Sequence, residues 1–437
     1  MTVFGQTSLV VLAGALLGAP SIGSAQEADY QLEAGYQAEL AALAASPAVV
    51  RALELVDERD ARVMSDLLQL TEIPAPPFKE ETRALRFFEM LIDLGVDSAW
   101  IDEEGNVLGM RRGTGSDEVI AVSGHLDTVF PEGTDVTVRQ RGDTLFAPGI
   151  VDDTRGLVAV LALLRVLNES DLRTSANLLF IATVGEEGLG DLRGMKYLFR
   201  DGGPRIDAFI SIDGAGHESI THKGLGSHRY RVTICGPGGH SWGDFGAPNP
   251  AHALGRAIDY LDLSADAITR SGPVTSYNVG RIGGGTSVNS IPFEAWMEVD
   301  MRSESPESLT RIDEVFQRAM TRAVIEANAQ RREGDELTLD MELIGDRPSG
   351  EIVESDPFVQ RAIAASLLLG IEPTLNRSST DANIPISLGI PAITIGGGGE
   401  ASAVHAPGEW FINRNGTLGI KRALLIVLAQ ARTPIAS

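Results

Sequence analysis

A chain of 437 residues exceeds what one hydrophobic core usually organises, so two domains are expected. Hydrophobic residues at 43% with aromatic residues at only 5% are typical of a soluble α/β protein rich in aliphatic side chains. The 60 acidic and 36 basic residues give a formal net charge of −24, which repels nucleic acid and anionic membranes, and no basic cluster offsets it, so nucleic acid is not expected as a partner.

Residues 1–25 are predicted to be a signal peptide. They carry no charged side chain, include the apolar run LVVLAGALLGAP, and end in Gly23-Ser24-Ala25, where small residues suit signal-peptidase cleavage. The alternative is an uncleaved membrane anchor, which needs an apolar run of about 20 residues, longer than this one. We therefore expect a periplasmic or secreted protein, with no stable membrane span after cleavage.

Apolar strands alternate with helices in the next segment, residues 26–225, which is predicted to be the first part of a catalytic domain. Residues 30–70 favour helix, and EVIAVSGHLDTV, ANLLFIATVGEE and RIDAFISID favour strands. LVAVLALLRVL, between the first two strands, is too continuously apolar for a surface helix and predicts a buried crossover. Strands that are apolar on both faces predict an α/β fold with a mostly parallel sheet, covered by helices on both faces.

The pattern changes near residue 226, where strands become alternating and two amphipathic helices follow them. This predicts a compact α+β insert over residues 226–338, each of whose strands is half exposed. After it, PISLGIPAITIGGG is again a fully apolar strand. Residues 339–437 are therefore predicted to be the second part of the catalytic domain.

Acidic and histidine side chains stand at the predicted strand ends, where functional groups of parallel sheets gather. Their order along the chain is His125, Asp152, Glu186, Glu187, Asp213, His405. Imidazole and carboxylate together suit zinc or another divalent ion, and a carboxylate between two cations can bridge them. A further glutamate, not bound to metal, would be free to move protons. The order predicts a two-metal hydrolase.

Each of these short acidic or histidine motifs could also have a purely structural role. His125 and Asp127 lie on one face of a strand, so Asp127 could hydrogen-bond the second ring nitrogen of His125, but H-x-D is common at strand ends. The Asp152-Asp153 pair could cap a helix. The Glu186-Glu187 pair favours a functional site more strongly, because adjacent carboxylates after an apolar strand repel each other unless a positive charge holds them.

Together these segments resemble a known family, the dinuclear zinc exopeptidases and deacylases that include glutamate carboxypeptidase, peptidase T, succinyl-diaminopimelate desuccinylase and acetylornithine deacetylase. The segments with family counterparts, in the same order, are GHLDTV, PGIVDDTRG, GEEG, SIDG, GPGGHS, GGTSVNSIP and STDAN. The resemblance covers nearly the whole mature chain. It implies that the insert is a lid and dimerisation domain, and that the protein is a homodimer through that lid.

The resemblance also implies a ligand set for two divalent metal ions per chain, with zinc as the first choice and cobalt or manganese as alternatives. His125, Asp152 and Asp213 would hold metal, with Asp152 bridging. Glu187 and His405 would complete the shell of the other ion.

The remaining matched residues would act on the substrate. Glu186 would be the general base, taking a proton from the attacking water and delivering one to the leaving amine. Asp127 is predicted to be a catalytic residue together with Glu186. His240 would stabilise the oxyanion in the neighbouring subunit's site. Asn289 and Arg347 resemble substrate contacts, and an arginine there could grip a peptide carboxylate bidentately.

The resemblance therefore predicts a secreted, metal-dependent exopeptidase that acts on di- and tripeptides. The near alternative is an N-acyl amino acid deacylase or carboxypeptidase of the same family. A different class, a non-catalytic and metal-free binding protein on this fold, would predict a lost ligand or a replaced base, whereas all five ligands and Glu186 are present. A monomer whose lid does not dimerise is a further alternative.

Overall fold

The structure, a computed structural model, describes residues 30–434, so the predicted signal peptide lies outside the described residues. Two hydrophobic cores form in this range, one around a nine-stranded sheet and a smaller one beneath a four-stranded sheet. Among the helices of residues 30–434, none combines the length and the apolar character needed to span a bilayer.

Helices make up much of both units. Those of residues 30–434 are, in chain order, α1 Ala34–Ala44, α2 Pro47–Glu58, α3 Asp60–Thr71, α4 Glu81–Asp93, α5 Thr154–Glu169, α6 Arg193–Leu198, α7 Pro250–Thr269, α8 Pro306–Gln330, α9 Pro357–Leu368, α10 Asn383–Ser387 and α11 Gly416–Gln430. Helices α2, α7, α8 and α9 begin with proline, whose missing N–H costs nothing at the first helical position. Helix α5 is the predicted crossover and is buried along Thr154–Leu167.

The strands are shorter and form several sheets. In chain order they are β1 Ser98–Ile101, β2 Val107–Arg111, β3 Val119–His125, β4 Arg139–Arg141, β5 Thr144–Phe146, β6 Asn177–Thr183, β7 Ala208–Ile212, β8 Ser219–Gly224, β9 Gly226–Cys235, β10 Gly239–His240, β11 Thr275–Gly284, β12 Ser290–Ile291, β13 Glu294–Ser303, β14 Thr338–Arg347, β15 Gly350–Glu351, β16 Thr374–Ser378, β17 Ala392–Ile395, β18 Glu400–Ser402 and β19 Trp410–Ile412. A small separate sheet has the strand order β18-β19-β5-β4.

The large sheet has the order β1-β2-β6-β3-β7-β17-β8-β15, with β16 beside β8. Its centre, β6-β3-β7-β17, is parallel, while β1, β2 and β15 pair antiparallel at the margins. Every residue of β3 is buried, as expected for a strand covered on both faces. The α/β fold with a mostly parallel central sheet is therefore confirmed.

The insert forms the antiparallel sheet β11-β13-β9-β14, on which α7 and α8 pack. Burial alternates residue by residue along β13, as a strand with one exposed face requires. Strand β14 pairs with β9 along Thr338–Arg347, so this sheet extends past the predicted boundary at residue 338. That boundary is too early, because β14 forms its ladder with the insert and not with the large sheet.

Candidate metal centre and catalytic site

Three neighbouring parallel strands bring the predicted acids and histidine to one edge of the large sheet. Strand β3 ends at His125, β6 is followed by the Glu186-Glu187 pair, and β7 is followed by Asp213. Since β6, β3 and β7 are adjacent and parallel, their carboxyl ends meet. Asp152 reaches the same edge from the loop that precedes α5.

Two glycines let α5 approach these strand ends closely. A Cβ on Gly156 would stand 2.0 Å from the carbonyl oxygen of Ile212, and one on Gly124 would stand 2.8 Å from the amide nitrogen of Leu157. Neither site has room for a side chain. The glycine in PGIVDDTRG is therefore needed so that the helix can dock on the sheet.

Asp153 holds the start of α5 against the ends of the strands. The helix-capping interpretation of the Asp152-Asp153 pair therefore applies to its second acid, Asp153. Its carboxylate accepts hydrogen bonds from the amides of Gly156 at 2.9 Å, Gly214 at 3.0 Å and His125 at 2.9 Å. It thereby joins the start of α5 to the ends of β3 and β7. Asp152 is left to face the site.

Asp152 lies between the two histidines. Its Oδ1 is 2.8 Å from Nε2 of His125, and its Oδ2 is 2.9 Å from Nε2 of His405. The same nitrogen of His405 is 3.0 Å from Oε1 of Glu187. One potential ligand atom from each of His125, Asp152 and Glu187 lies within 4.8 Å of the others. Asp213 shares with Asp152 the wall of a cavity of about 670 Å³.

The charges at this edge perturb one another. Burial, and then the charge of Asp152, raise the pKa of Asp213 to about 7. Hydrogen bonds to Asp152 and Glu187 raise the pKa of His405 to about 10. Burial, with Glu187 and Asp213 nearby, raises the pKa of Glu186 well above its usual range. A buried group of acids that repel one another is what bound cations would relieve, so the donor set fits divalent metal.

His125 is oriented by the main chain of Asp127. Its Nδ1 lies 3.0 Å from the carbonyl oxygen of Asp127, which can only accept, so Nδ1 carries a proton and Nε2, the nitrogen that faces Asp152, is the one that would bind a metal. The Asp127 carboxylate is farther away, at 3.6 Å, and instead accepts the amides of Glu186 at 3.0 Å and Glu187 at 2.8 Å. The predicted side-chain contact is thus replaced by a main-chain contact.

Arg347 lies at the end of β14 with its side chain buried. Its Nη1 is 3.1 Å from Oε1 of Glu186 and 3.1 Å from Oγ of Ser379, while its Nη2 donates to the carbonyl oxygen of Glu186. Arg347, which was predicted to contact the substrate, therefore forms an ion pair with Glu186, the predicted general base. The sequence placed Arg347 near the site, but its partner differs from the expected carboxylate of a peptide.

His240 and Asn289 lie together on the β10–β12 ribbon of the insert, where His240 pairs with Ser290. The amide of Ser241 donates to the carbonyl oxygen of Asn289 at 3.0 Å, and that of Trp242 donates to Nδ1 of His240 at 3.2 Å. These contacts are all within the insert. The roles assigned to the two residues depend on a second subunit and stay predictions.

Glu409 is a site residue that the sequence analysis did not single out, although it lies in the AVHAPGEW segment that supplies His405. Its buried carboxylate accepts the amides of Gly149 at 3.1 Å, Val151 at 2.7 Å and Asp152 at 3.2 Å. It therefore holds the loop that carries Asp152. The only feature of the sequence that indicates a role for Glu409 is its position four residues after His405, a predicted metal ligand.

Replacing Glu409 with alanine is expected to lower the free energy of unfolding by about 2–4 kcal/mol, because three buried amides lose their acceptor. Chemical denaturation measures that loss, and metal titration should show weaker binding as the Asp152 loop loosens. Glu409→Gln keeps one acceptor oxygen in the same shape and should lose less on both counts. Equal stability of the alanine variant and the wild type would contradict this role.

Asp381, in the STDAN segment, is a second buried acid beside the site. Thr183 Oγ1, at the end of β6, donates to its Oδ2 at 2.5 Å. Burial raises the pKa of Asp381 to about 6, although the nearby charge of His125 opposes this shift. Asp381 belongs to the charged surroundings of His125, and no role was predicted for it from the sequence.

Comparison with known proteins agrees with this geometry. The sequence profile of peptidase family M20/M25/M40 matches residues 121–428. YqjE of Bacillus subtilis is 27% identical over 379 residues, which are 81% of this chain and 94% of that protein.

Solved structures share the fold. Aminopeptidase PepT from Bacillus cereus superposes with a TM-score of 0.68 at 20% identity, covering 85% of this chain and 99% of that one. The dipeptidase Dug1p from Saccharomyces cerevisiae gives a TM-score of 0.68 at 16% identity, covering 88% and 99%. At such identities the likeness concerns the fold.

Proposed function

The chain belongs to the M20/M25/M40 peptidase family and is a metallohydrolase, and from this premise we propose that it is a secreted exopeptidase for di- and tripeptides. The observation that carries the proposal is the position of Asp152 between His125 and His405, with Glu187 beside them. Glu186 lies next to this group, buried, at the end of the same sheet.

Two metal ions are proposed because the two carboxylate oxygens of Asp152 face different histidines. His125 and Asp213 would hold one ion, and Glu187 and His405 the other. Zinc suits this mixture of imidazole and carboxylate, and cobalt or manganese could replace it. Bound there, the ions would polarise the scissile carbonyl and make the attacking water more acidic.

Glu186 is proposed to move the proton. It would accept one from the attacking water and return it to the nitrogen of the leaving amine. Its burial, which favours the neutral carboxyl, supports the second step, since a protonated acid must be available when the amide bond breaks. Arg347, through its contact with Oε1, holds the Glu186 side chain in one position.

The experiment that tests this function combines metal analysis with hydrolysis. The purified protein is expected to hold two metals per chain and to cleave di- and tripeptides, and removal of the metals by a chelator should abolish cleavage until zinc, cobalt or manganese is restored. The same chelator, already saturated with zinc, is the control and should leave activity intact. Cleavage only of N-acyl amino acids would favour the deacylase instead, and activity that survives complete metal removal would exclude the mechanism.

We propose that the protein acts as a homodimer joined through the insert, so that His240 and Asn289 serve the neighbouring subunit's site. The exposed position of His240 on the β10–β12 ribbon supports this. Light scattering should give twice the mass of the chain. A monomer that is fully active would exclude the role of His240 in a neighbouring site.

We also propose that residues 1–25 direct export and are then removed. The support is the uncharged, apolar composition of this segment and the small residues at its end. Mass spectrometry of the protein from its natural host should find a mature chain that begins after Ala25. A full-length chain in the cytoplasm would contradict export.

A further inference from the structure

A second cavity, of about 450 Å³, lies in the insert and shares no lining residue with the cavity at Asp152 and Asp213. The start of α7, the chain just after α8 and the β10–β12 ribbon form its walls. Its lining includes four basic side chains: His252, Arg256, Arg331 and Arg332. None of its lining residues is an aspartate or a glutamate, although the chain as a whole carries a charge of −24. Such a cavity favours an anion.

Arg256 is one of the cations that line this cavity. It lies four residues after His252 on α7, and so both side chains project from the same face of the helix. Its Nη1 is buried and has no hydrogen-bond partner among residues 30–434. The carboxylate of nearby Glu326 already accepts from Arg322 at 2.8 Å and from Tyr260. Among residues 30–434 no carboxylate forms an ion pair with Arg256, so an anion in the cavity would neutralise its charge.

The two other arginines differ in how far their charges are neutralised. Arg331 is paired with Glu336 at 2.9 Å. Arg332 lies with its guanidinium over the ring of Phe245, 6.0 Å from the ring centre, and its amide donates to the carbonyl oxygen of Gly246 at 2.8 Å. This backbone contact joins the end of α8 to the loop before α7, so the wall that carries Arg332 is held in place.

The rest of the lining indicates the kind of anion. Phe245, Val288 and Ile291 add apolar surface to the cavity beside its cations, and Phe245 and Val288 are largely exposed. A cavity of about 450 Å³ is within the usual range for small-molecule sites. Inorganic phosphate would use the cations but leave the apolar surface uncovered. A small organic acid would use both.

We propose that this cavity binds a small carboxylate that carries an apolar group, with the guanidinium of Arg256 receiving the carboxylate. An arginine suits this role because its planar fork matches the two oxygens of a carboxylate. Peptides and amino acids with aliphatic side chains belong to this chemical class. The site goes beyond the proposed hydrolysis, and its test uses no activity measurement, so failure of one proposal leaves the other untouched.

The test is calorimetric titration of the metal-loaded protein with 4-methylpentanoate, which has the carboxylate and an aliphatic chain but no amide bond. Acetate, inorganic phosphate and 4-methylpentan-1-ol each lack one of the proposed features and should bind at least about tenfold more weakly. Arg256→Gln should weaken 4-methylpentanoate binding about tenfold or more, because the carboxylate loses a charged donor. Arg256→Lys keeps the charge without the planar fork, so its affinity for 4-methylpentanoate should lie between those of the wild type and Arg256→Gln.

Arg318→Gln is the matched control, since it removes the same charge from an exposed position on α8 outside the cavity. It should bind like the wild type. The proposal is overturned if Arg256→Gln and Arg256→Lys both bind 4-methylpentanoate as tightly as the wild type. It is also overturned if the alcohol, acetate or phosphate binds equally well, or if the wild type shows no binding at millimolar ligand.

Discussion

Replacing Glu186 with glutamine should reduce amide hydrolysis by about 10²–10⁴-fold while the metal content stays at its wild-type level. The amide has the shape of the carboxyl group but cannot accept the proton of the attacking water. Glu186 is buried after β6, beside the proposed metal ligands, and its neighbour Glu187, not Glu186, contacts His405. Steady-state kcat/KM on the best peptide substrate, with elemental analysis of the same sample, measures both quantities.

Glu400→Gln provides the control for this experiment. Glu400 lines the same cavity as Asp152 and Asp213, but its carboxylate pairs with Arg414 at 2.8 Å. The substitution removes one negative charge near the site and should leave kcat/KM close to that of the wild type. If Glu186→Gln retained wild-type kcat/KM, Glu186 could not be the base. If it lost its metal, the residue would have to be counted among the ligands.

Replacing Asp152 with alanine should remove metal from both proposed positions and lower kcat/KM by more than about 10²-fold. Asp152 offers one oxygen toward His125 and the other toward His405, so its loss affects both halves of the cluster. Loss even of a residue that only supports a metal ligand commonly costs about 10–100-fold, and Asp152 is proposed to bind metal directly. Metal analysis after dialysis and kcat/KM at saturating zinc measure the two effects.

The control is Asp143→Ala, at an exposed position in the turn between β4 and β5. This variant should keep both its metal and its activity, since it removes an acid of the same type away from the cluster. Selective loss of one metal from the Asp152 variant, with the other retained at full affinity, would show that Asp152 does not bridge.

Much of the site could be predicted because its residues lie on a regular framework. His125 ends β3, the Glu186-Glu187 pair and Asp213 follow β6 and β7, and the carboxyl ends of these adjacent parallel strands must meet. The sequence thus predicted four of these side chains at one edge of the sheet. Asp152 was harder, since capping and metal binding compete for an acid pair at a helix start, and only Asp153 was found to cap.

Other features depended on contacts that periodicity does not encode. Arg347 binds Glu186 across a separation of 161 residues, and Glu409 binds the amide of Asp152 across 257. The pattern of a strand or helix indicates which face a side chain occupies, but not which distant residue comes to face it. That partner depends on how β14 leaves the insert and on how the chain returns after β18.

The sequence by itself determined the α/β fold, the inserted α+β unit and the order of the acids and histidines, because these follow from local hydrophobic periods and from strand-end positions. Only the tertiary structure decided that β14 belongs to the insert, that the Asp127 carbonyl orients His125, and that Arg256 meets Arg332 around one cavity. The physical reason is the same in each case. Hydrogen bonds and charges act over a few ångströms in space, and packing alone brings together residues that lie far apart along the chain.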